Sequence, residues 1–272
     1  MKEYRQGHTD NTNTIEKALV SIITPSYNCG RFIGETIESV KAQTYENWEM
    51  IIVDDQSEDN TLSVLMPFLE DKRIHVYQNT EHKGAGESRN AALKAAKGKW
   101  IAFLDSDDVW EPTKLERQIA FMVENGYHFS CHNYVEMDVN GKETGVMVSS
   151  KKHISKWDLY TCCWPGCLTV MYDADYVGLV QIRNIKTNND TAMWLKVAKK
   201  ADCYLLDESL ARYRRRKNSI THRGKIKRIL GHYNLFRYAQ RMNPIAAVFL
   251  MFVNICGNAY KKIRYVKTYQ PE

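Results

Sequence analysis

Short runs of apolar, mostly β-branched or aromatic residues recur through the first part of the chain and predict four buried strands. These runs cover residues 19–24, 48–53, 74–77 and 100–104. Between them, apolar residues recur every three or four positions, which is typical of one face of an amphipathic helix. The predicted helices cover residues 31–43, 62–69 and 84–97. This alternating order of strands and helices predicts an α/β fold with a parallel sheet and right-handed crossovers.

Beyond residue 108 the pattern changes to shorter and less regular elements. The helical spacing of Leu115, Ile119 and Met122 predicts one helix, and the turn dipeptide Asn140-Gly141 predicts a hairpin. The hairpin strands, a further strand and a second helix are predicted at residues 128–137, 145–148, 167–172 and 190–198. We therefore divide the chain into a polar leader (1–17), an α/β domain (18–222, with halves 18–108 and 109–222) and a basic C-terminal extension (223–272).

The composition is that of a folded chain with a substantial core, since 44% of the 272 residues are hydrophobic. The polar start has no apolar stretch of the kind found in secretory signals, so we expect a loose leader. The seven cysteines have no paired metal-ligand spacing, and we expect reduced thiols in a cytoplasmic protein. Their one cluster, Cys162-Cys163 with Cys167, lacks the second Cys or His pair of a zinc finger.

Charge is distributed unevenly along the chain. Residues 1–208 contain 23 Lys and Arg and 31 Asp and Glu, whereas residues 209–271 contain 15 Lys and Arg and no acidic residue. We call residues 209–271 the basic segment. The partners that suit such a segment are nucleic acid, an anionic membrane surface or a polyphosphate ligand.

Acidic residues follow directly after two of the predicted strands. Asp54 and Asp55 end the second strand, and Asp105, Asp107 and Asp108 follow the fourth. The carboxyl ends of parallel strands meet at one edge, where open α/β sheets bind ligands. Carboxylate oxygens are the ligands that Mg²⁺ and related hard cations prefer. The alternative is that these acids only cap the helices that follow them.

The common nucleotide-binding glycine motifs are incomplete or missing. Gly84-x-Gly86 lacks the third glycine of the dinucleotide fingerprint, and it follows the third strand rather than the first. The sequence also contains no phosphate-binding Gly-x4-Gly-Lys-Ser/Thr loop. A nucleotide would therefore have to bind through another arrangement.

Five motifs follow one another in order over residues 20–108. They are VSIITPSYN at 20–28, Ser39-Val40-x2-Gln43-Thr44-Tyr45-x2-Trp48-Glu49, Val53-Asp54-Asp55-x-Ser57-x-Asp59, Gly84-x4-Arg89-Asn90 and Asp105-x-Asp107-Asp108. Together they closely resemble family 2 glycosyltransferases with the GT-A fold. The resemblance implies a Rossmann-like nucleotide-binding half with a mixed, mostly parallel sheet, and an acceptor-binding half. It also implies a nucleotide-sugar donor, usually a UDP-sugar, and inversion at the anomeric carbon.

The same resemblance implies roles for individual residues. Asp105 and Asp107 resemble the family's metal and ribose carboxylates, and Asp107 is the better candidate for direct coordination of Mn²⁺ or Mg²⁺. Such an ion would neutralise the charge that builds on the diphosphate leaving group. The residues that correspond to the lining of the nucleoside pocket are Pro25, Tyr27, Asp54, Asp55 and Arg89.

The acceptor half contains the remaining candidates. The segment that begins at Asn188 resembles the family's Glu-Asp-x3-Trp-Leu segment, so Asp190 corresponds to the proposed general base, and Asn189 stands where Glu is usual. One or two of Arg212, Arg214 and Arg215 suit bidentate contacts to a diphosphate, and Arg212 and Arg214 are the candidates that we single out. The alternative is a solvated or membrane-facing basic loop. The Gln-x2-Arg-Trp motif of processive members is absent, so we expect one sugar to be added per cycle.

The end of the chain alternates basic and apolar residues and then becomes almost wholly apolar at residues 245–256. About a dozen residues are too few to cross a bilayer, which needs about 20. We therefore predict an interfacial helix whose basic flanks contact anionic headgroups. The alternative is a helix that packs on the catalytic domain or on a second copy of the chain in a homodimer.

These observations predict a cytoplasmic enzyme that is peripheral on the inner face of the plasma membrane. Its expected substrates are a UDP-sugar and a lipid-diphosphate-linked glycan of the kind used in bacterial surface-polysaccharide synthesis. The alternative is a basic nucleic-acid-binding α/β protein without catalytic activity. We favour the enzyme and expect no nucleic acid partner, because strand-end carboxylates without a metal would repel phosphate.

Overall fold

The computed structural model describes residues 17–183, 185, 187–216 and 225–271. Most of the predicted leader and the boundary near residue 222 lie outside these ranges. The first half contains the strands β1 (Val20–Ser26), β2 (Trp48–Asp54), β3 (Ile74–Gln78) and β4 (Trp100–Phe103). The helices between them are α1 (Ile33–Lys41), α2 (Thr61–Leu65, continued by a 3₁₀ turn at Met66–Glu70) and α3 (Ala85–Ala95). The four strands are parallel in the order β3-β2-β1-β4.

The second half adds strands to the same sheet. Its strands are β5 (Val109–Trp110), β6 (Phe129–Met137), β7 (Glu143–Val148), β8 (His153–Ile154), β9 (Met171–Asp173) and β10 (Cys203–Arg214). Its helices are α4 (Lys114–Asn125), α5 (Lys156–Thr161), α6 (Ala174–Val177) and α7 (Asn189–Val197). Strand β9 pairs antiparallel with both β4 and β6 and therefore joins the two halves. The result is one mixed sheet, as the predicted GT-A architecture requires.

Arg212 and Arg214 lie in strand β10 and not in the basic loop that was the alternative for them. This strand is 12 residues long and pairs in parallel with β6, with register shifts after Leu206 and Ser209. The prediction was wrong at residues 167–172, where Cys167–Thr169 form a 3₁₀ turn and β9 begins only at Met171. A 3₁₀ turn buries apolar side chains as well as a strand does, so hydrophobicity alone does not separate the two.

Both faces of the parallel strands are covered, which explains why their sequences are continuous apolar runs. On one face, Ile23 and Phe103 belong to a core that includes Trp194 of α7. On the other face, Ile22 and Met50 belong to a core with residues of α1 and α4. Adjacent residues of a strand point to opposite faces, so every position of β1 and β2 is buried.

The end of the chain forms α8 (Lys225–Asn234), α9 (Pro244–Arg264) and β11 (Val266–Thr268). Helix α9 has 21 residues and not the predicted dozen, because it continues past the apolar run into residues 257–264. Within the described chain it is the single helix long and apolar enough to cross a membrane, by length and composition alone.

One side of α9 packs on the rest of the protein. The amide of Asn254 donates to the Tyr160 carbonyl at 3.1 Å, and Lys261 Nζ donates to the carbonyl of Cys163 at 3.0 Å. Strand β11 then pairs antiparallel with β7. The helix is therefore docked on the α/β domain, which is one of the two arrangements left open by the sequence.

Candidate active site

The loops after β1 and β2 are joined by hydrogen bonds at the carboxyl edge of the sheet. The backbone N–H of Asn28 donates to Ser57 Oγ at 2.9 Å, and the N–H of Glu58 donates to Asn28 Oδ1 at 2.8 Å. The N–H of Gly30 donates to Asp59 Oδ2 at 3.0 Å. Asn28 has a φ of +49°, a conformation that asparagine tolerates better than most residues. Two of the five sequence motifs therefore build one wall of the site.

Tyr27 and Asp55 lie at this edge, next to the turn that precedes α3. The Asp55 carboxylate accepts from the backbone N–H groups of Lys83 and Gly84 at 2.9 and 2.6 Å, and Gly84 has a φ of +88°. The His82 ring lies 3.0 Å from the same carboxylate and 4.4 Å from the Tyr27 ring, between centroids. Tyr27 is 41% exposed, so its ring can stack on a planar base.

Pro25 and Asp54 are buried below the surface of this edge, near the ends of β1 and β2. Pro25 is buried within β1, and Asp54 has no exposed surface. The Asp54 carboxylate accepts from the N–H and hydroxyl of Ser57 and from the Gln78 amide. These partners indicate that Asp54 shapes the loop after β2.

Arg89 links three elements around Asp105. Its guanidinium donates to Asp105 Oδ1 and to Asn189 Oδ1, both at 2.5 Å. Burial alone would lower the pKa of Arg89, but the charges of Asp105 and Asp190 raise it above its usual value. The residue at position 189, where the family usually has Glu, therefore contacts Arg89 through a neutral amide oxygen. This contact fixes the start of α7 relative to the end of β4.

Asp107 and Asp108 contact two further arginines. Asp108 Oδ1 accepts from the backbone N–H of Arg214 at 2.8 Å, and the Arg214 guanidinium donates to the Asp107 carbonyl at 2.8 Å and to Glu35 at 2.5 Å. Arg216 Nε lies 2.6 Å from Asp107 Oδ2. Burial, together with the charge of Asp105, raises the pKa of Asp107 to about 6. Burial and the charges of Asp107 and Asp105 raise the pKa of Asp108 well above its usual value.

The residues at the end of β4 fit a divalent ion whose coordination shell is completed by a bound ligand and water. Among the described residues no three His, Cys, Asp or Glu side chains are grouped to hold a metal. Mg²⁺ sites that serve nucleotides commonly use one or two carboxylates, and phosphate oxygens and water supply the rest. Asp107 suits this role, because its carboxylate is partly exposed and already lies beside a cation, the Arg216 guanidinium.

Asp190 lies in the first turn of α7. Its Oδ1 accepts from the backbone N–H of Thr191 at 2.7 Å, and the side chain is partly exposed. The preceding Asn188 has a φ of +55°, and strained backbone of this kind is concentrated at functional sites. Asp190 is also close enough to Arg89 to raise its pKa. The structure thus brings Asp190 to the same side of the molecule as Asp105.

The predicted arginines occupy different positions. Arg214 is buried among the partners described above, whereas Arg212 Nε is 2.8 Å from Glu111 and 3.6 Å from Glu143. Contact of either residue with a diphosphate stays a prediction. The arginine beside Asp107 is Arg216, which the sequence analysis did not single out. The run of basic residues at 212–217 indicates that an arginine could contact the carboxylates, but it does not identify which one.

The fold and this edge of the sheet define a class of protein. A parallel β3-β2-β1-β4 half, a second half that completes a mixed sheet and a carboxylate pair after β4 are the features of a GT-A glycosyltransferase, so the predicted fold class is confirmed. The sequence profile of Glycosyl transferase family 2 matches residues 21–227. The chain belongs to this family, and it is a glycosyltransferase.

Named relatives share most of the chain. The provisionally named teichuronic acid biosynthesis glycosyltransferase TuaG of Bacillus subtilis is 40% identical over 90% of this chain and 98% of its own length. The Escherichia coli UDP-Glc:alpha-D-GlcNAc-diphosphoundecaprenol beta-1,3-glucosyltransferase WfgD is 42% identical over 66% of this chain and 70% of its own. Among solved structures, the mannosyltransferase PcManGT of Pyrobaculum calidifontis, in complex with GDP-Man and Mn²⁺, aligns with a TM-score of 0.66 at 17% identity and covers 90% of this chain and 73% of its own.

Proposed function

We propose that this glycosyltransferase transfers a single sugar, with inversion, from a UDP-sugar to a lipid-diphosphate-linked glycan of surface-polysaccharide synthesis. The observation that carries the proposal is the convergence of Asp105 and Asp107 with the loops after β1 and β2 at one edge of the sheet. The names of TuaG and WfgD support the polysaccharide, the UDP-sugar and the lipid-linked acceptor. The addition of one sugar per cycle is also part of the proposal, because it is inferred only from the absence of the Gln-x2-Arg-Trp motif of processive members.

Asp107, with Asp105 beside it, would hold Mn²⁺ or Mg²⁺ on the donor diphosphate. When bound, the ion supplies Lewis-acid stabilisation of the leaving group. Arg89 keeps Asp105 in place through its own hydrogen bond. Tyr27 would stack on the base at the opposite end of the donor, and the Mn²⁺ in the name of PcManGT supports the choice of metal.

Asp190 would accept the proton of the acceptor hydroxyl as the new glycosidic bond forms. Among the described residues, both hydrogen bonds to its carboxylate come from Thr191 and go to Oδ1, so Oδ2 accepts none from this part of the chain. The position in a first helical turn also stabilises the carboxylate before it takes the proton. The acceptor would therefore approach between α7 and the end of β4.

The exposed side of α9 supports attachment to an anionic membrane on the cytoplasmic face. The side opposite Ala247 and Asn254 carries large exposed apolar residues, namely Ile245, Val248, Phe249, Phe252, Tyr260 and Ile263. We call these six residues the apolar stripe. Exposed basic residues Lys262, Arg264 and Lys267 lie at its end. An apolar stripe with a basic border is the pattern of a helix that lies in the membrane interface.

Donor binding and transfer can be tested separately with two variants. We expect UDP-sugars to raise the unfolding temperature of the native chain in the presence of Mn²⁺, since ligand at about 100 times Kd stabilises by about 2.7 kcal/mol. Asp107→Asn should lose this stabilisation. Asp190→Asn should keep it and lose transfer by about 10²–10⁴-fold, which is the usual contribution of a general base.

The matched control is Asp175→Asn, which removes one carboxylate that is 74% exposed and pairs with Lys99. It should behave like the parent chain in both assays. Full transfer by Asp190→Asn would remove Asp190 from the mechanism. Metal-independent donor binding by Asp107→Asn would contradict the proposed metal site.

A further inference from the structure

Arg216 has a different relation to the carboxylates from the other two arginines at the site. Its Nε lies 2.6 Å from Asp107 Oδ2, yet this N–H has no hydrogen-bond acceptor among the described residues. The contact is therefore an ion pair without the directional geometry of a hydrogen bond. Within the described part of the chain, the guanidinium also has two weak partners, the Cys29 thiol at 3.7 Å and the Phe32 ring at 5.5 Å.

Arg89 and Arg214 are held much more firmly. Arg89 donates two hydrogen bonds at 2.5 Å, one of them to Asp105, and it is 6% exposed. Arg214 donates to the Glu35 carboxylate and to the backbone carbonyls of residues 107, 138 and 139, and its side chain is 1% exposed. The Arg216 side chain is 30% exposed. Of the three cations beside the carboxylates of residues 105–108, Arg216 is the one that can leave without stranding a buried hydrogen bond.

A divalent cation and the Arg216 guanidinium cannot both occupy the exposed side of Asp107. Two cations on one carboxylate repel each other strongly in a half-buried site, where the effective dielectric constant is far below that of water. A nucleotide diphosphate supplies negative charge of its own, so the incoming ion and its ligand together need no further cation on Asp107. The freed guanidinium would then be available to the diphosphate oxygens, for which arginine is well suited.

We propose that Arg216 is the internal counter-ion of Asp107 in the donor-free enzyme, and that the metal that accompanies the nucleotide sugar displaces it. This inference rests on the proposed function and deepens it, because it identifies the group that pairs with Asp107 before the donor binds. It also makes metal binding without nucleotide weaker than the carboxylates alone would allow. Nucleotide and metal therefore bind cooperatively.

The test is a Mn²⁺ titration of the full-length chain without nucleotide, followed by electron paramagnetic resonance of the free ion. Arg216→Met should bind Mn²⁺ about fivefold more tightly than the parent chain, which corresponds to the upper range for a partly exposed ion pair. Arg216→Lys, which keeps the charge, should remain close to the parent. Arg117→Met removes one exposed arginine that pairs with Glu208 far along the chain and should change nothing.

Equal or weaker Mn²⁺ affinity in Arg216→Met would overturn the counter-ion role. A second titration in the presence of UDP separates this failure from failure of the proposed function. If the parent chain binds Mn²⁺ with UDP but Arg216→Met shows no gain without it, only the displacement of Arg216 is wrong. If the parent chain binds no Mn²⁺ even with UDP, the metal-dependent function and the inference fail together.

Discussion

Two buried titratable side chains, Lys114 and His132, have no partner of opposite charge among the described residues. Lys114 has no exposed surface, and among the described residues its Nζ has no hydrogen-bond partner. It lies 3.8 Å from the centre of the Trp110 ring. The His132 ring donates from Nδ1 to the Asn133 carbonyl at 2.7 Å, which leaves Nε2 as the unprotonated nitrogen. Burial, with the nearby Lys114, lowers the pKa of His132 to about 3.

We predict that His132 makes the fold sensitive to mild acid. In the unfolded chain His132 binds a proton below about pH 6.5, whereas in the folded chain it binds one only below about pH 3. The free energy of unfolding therefore falls as the pH falls from about 6.5 to about 3. At pH 5 the cost is about 2 kcal/mol. His132→Gln should remove that cost, so its free energy of unfolding in urea should change less between pH 7 and pH 5 than that of the parent chain.

His153→Gln is the control, because His153 is 52% exposed and pairs with Asp202 at the surface. It should keep the acid sensitivity of the parent chain. If His132→Gln loses stability between pH 7 and pH 5 as steeply as the parent, the acid response comes from other groups.

The sequence predicted the site residues that directly follow a strand of the parallel sheet. Asp55, Asp105 and Asp107 follow strands whose apolar runs fix the direction of the chain, so their meeting at one edge follows from topology. Arg216 and His82 were not found, because their positions depend on contacts between residues far apart in sequence. Arg216 reaches Asp107 across more than 100 positions, and a run of basic residues does not specify which one makes that contact.

At the scale of elements, α9 and α5 meet through a glycine. A Cβ at Gly257 would lie 1.9 Å from the carbonyl oxygen of Thr161, a backbone atom that cannot rotate away. Helix propensity alone predicts that Gly257→Ala would stabilise by about 1 kcal/mol. We predict the opposite sign, a loss of about 1–3 kcal/mol in the free energy of unfolding, because α9 must move away from α5. Urea unfolding at neutral pH measures it.

Cys256→Ala is the neighbouring control, since Cys256 is exposed on the same helix. It should leave the free energy of unfolding within about 0.5 kcal/mol of the parent value. A stabilised Gly257→Ala would mean that α9 does not pack against α5 in solution.

The elements were predictable to different degrees for a physical reason. Strands β1 to β4 are buried on both faces, so each is a continuous apolar run that stands out from its neighbours. Strand β10 mixes Leu205 and Leu210 with Glu208 and Arg212, and two register shifts interrupt its pairing with β6. Such a strand has neither the apolar run nor the strict alternation that would identify it. The length of helix α9 was underestimated because Asn258, Lys261, Lys262 and Arg264 interrupt the apolar run in its last two turns.

For the whole molecule, the described basic residues at the two ends of the basic segment have different uses. Near its start, three arginines form ion pairs within the protein: Arg212 with Glu111, Arg214 with Glu35, and Arg215 with Glu136. These residues do not form the continuous basic surface that nucleic acid binding requires. Its last part is exposed at the end of the apolar stripe. The charge asymmetry seen in the sequence therefore serves the site at one end and a surface at the other.

We predict that the apolar stripe binds anionic bilayers. Phe249 and Phe252 are 66% and 60% exposed on α9, and insertion of both rings at a membrane interface should contribute several kcal/mol. Phe249→Ser combined with Phe252→Ser should therefore lower the fraction of full-length chain that sediments with phosphatidylglycerol-containing vesicles by about tenfold or more. Vesicles of phosphatidylcholine alone should bind the parent chain more weakly, because its basic border gains nothing from a neutral surface.

The matched control is Met66→Ser combined with Tyr77→Ser. These residues are 64% and 50% exposed, and they lie in and beside β3, at the opposite end of the sheet from β11. The control loses a similar amount of exposed apolar surface, so it separates a membrane-binding helix from general surface hydrophobicity. If the two double variants sediment alike, the membrane proposal is wrong, and a second copy of the chain becomes the better occupant of the apolar stripe. A concentration-dependent change in molecular mass that is lost only in the α9 variant would then identify that occupant.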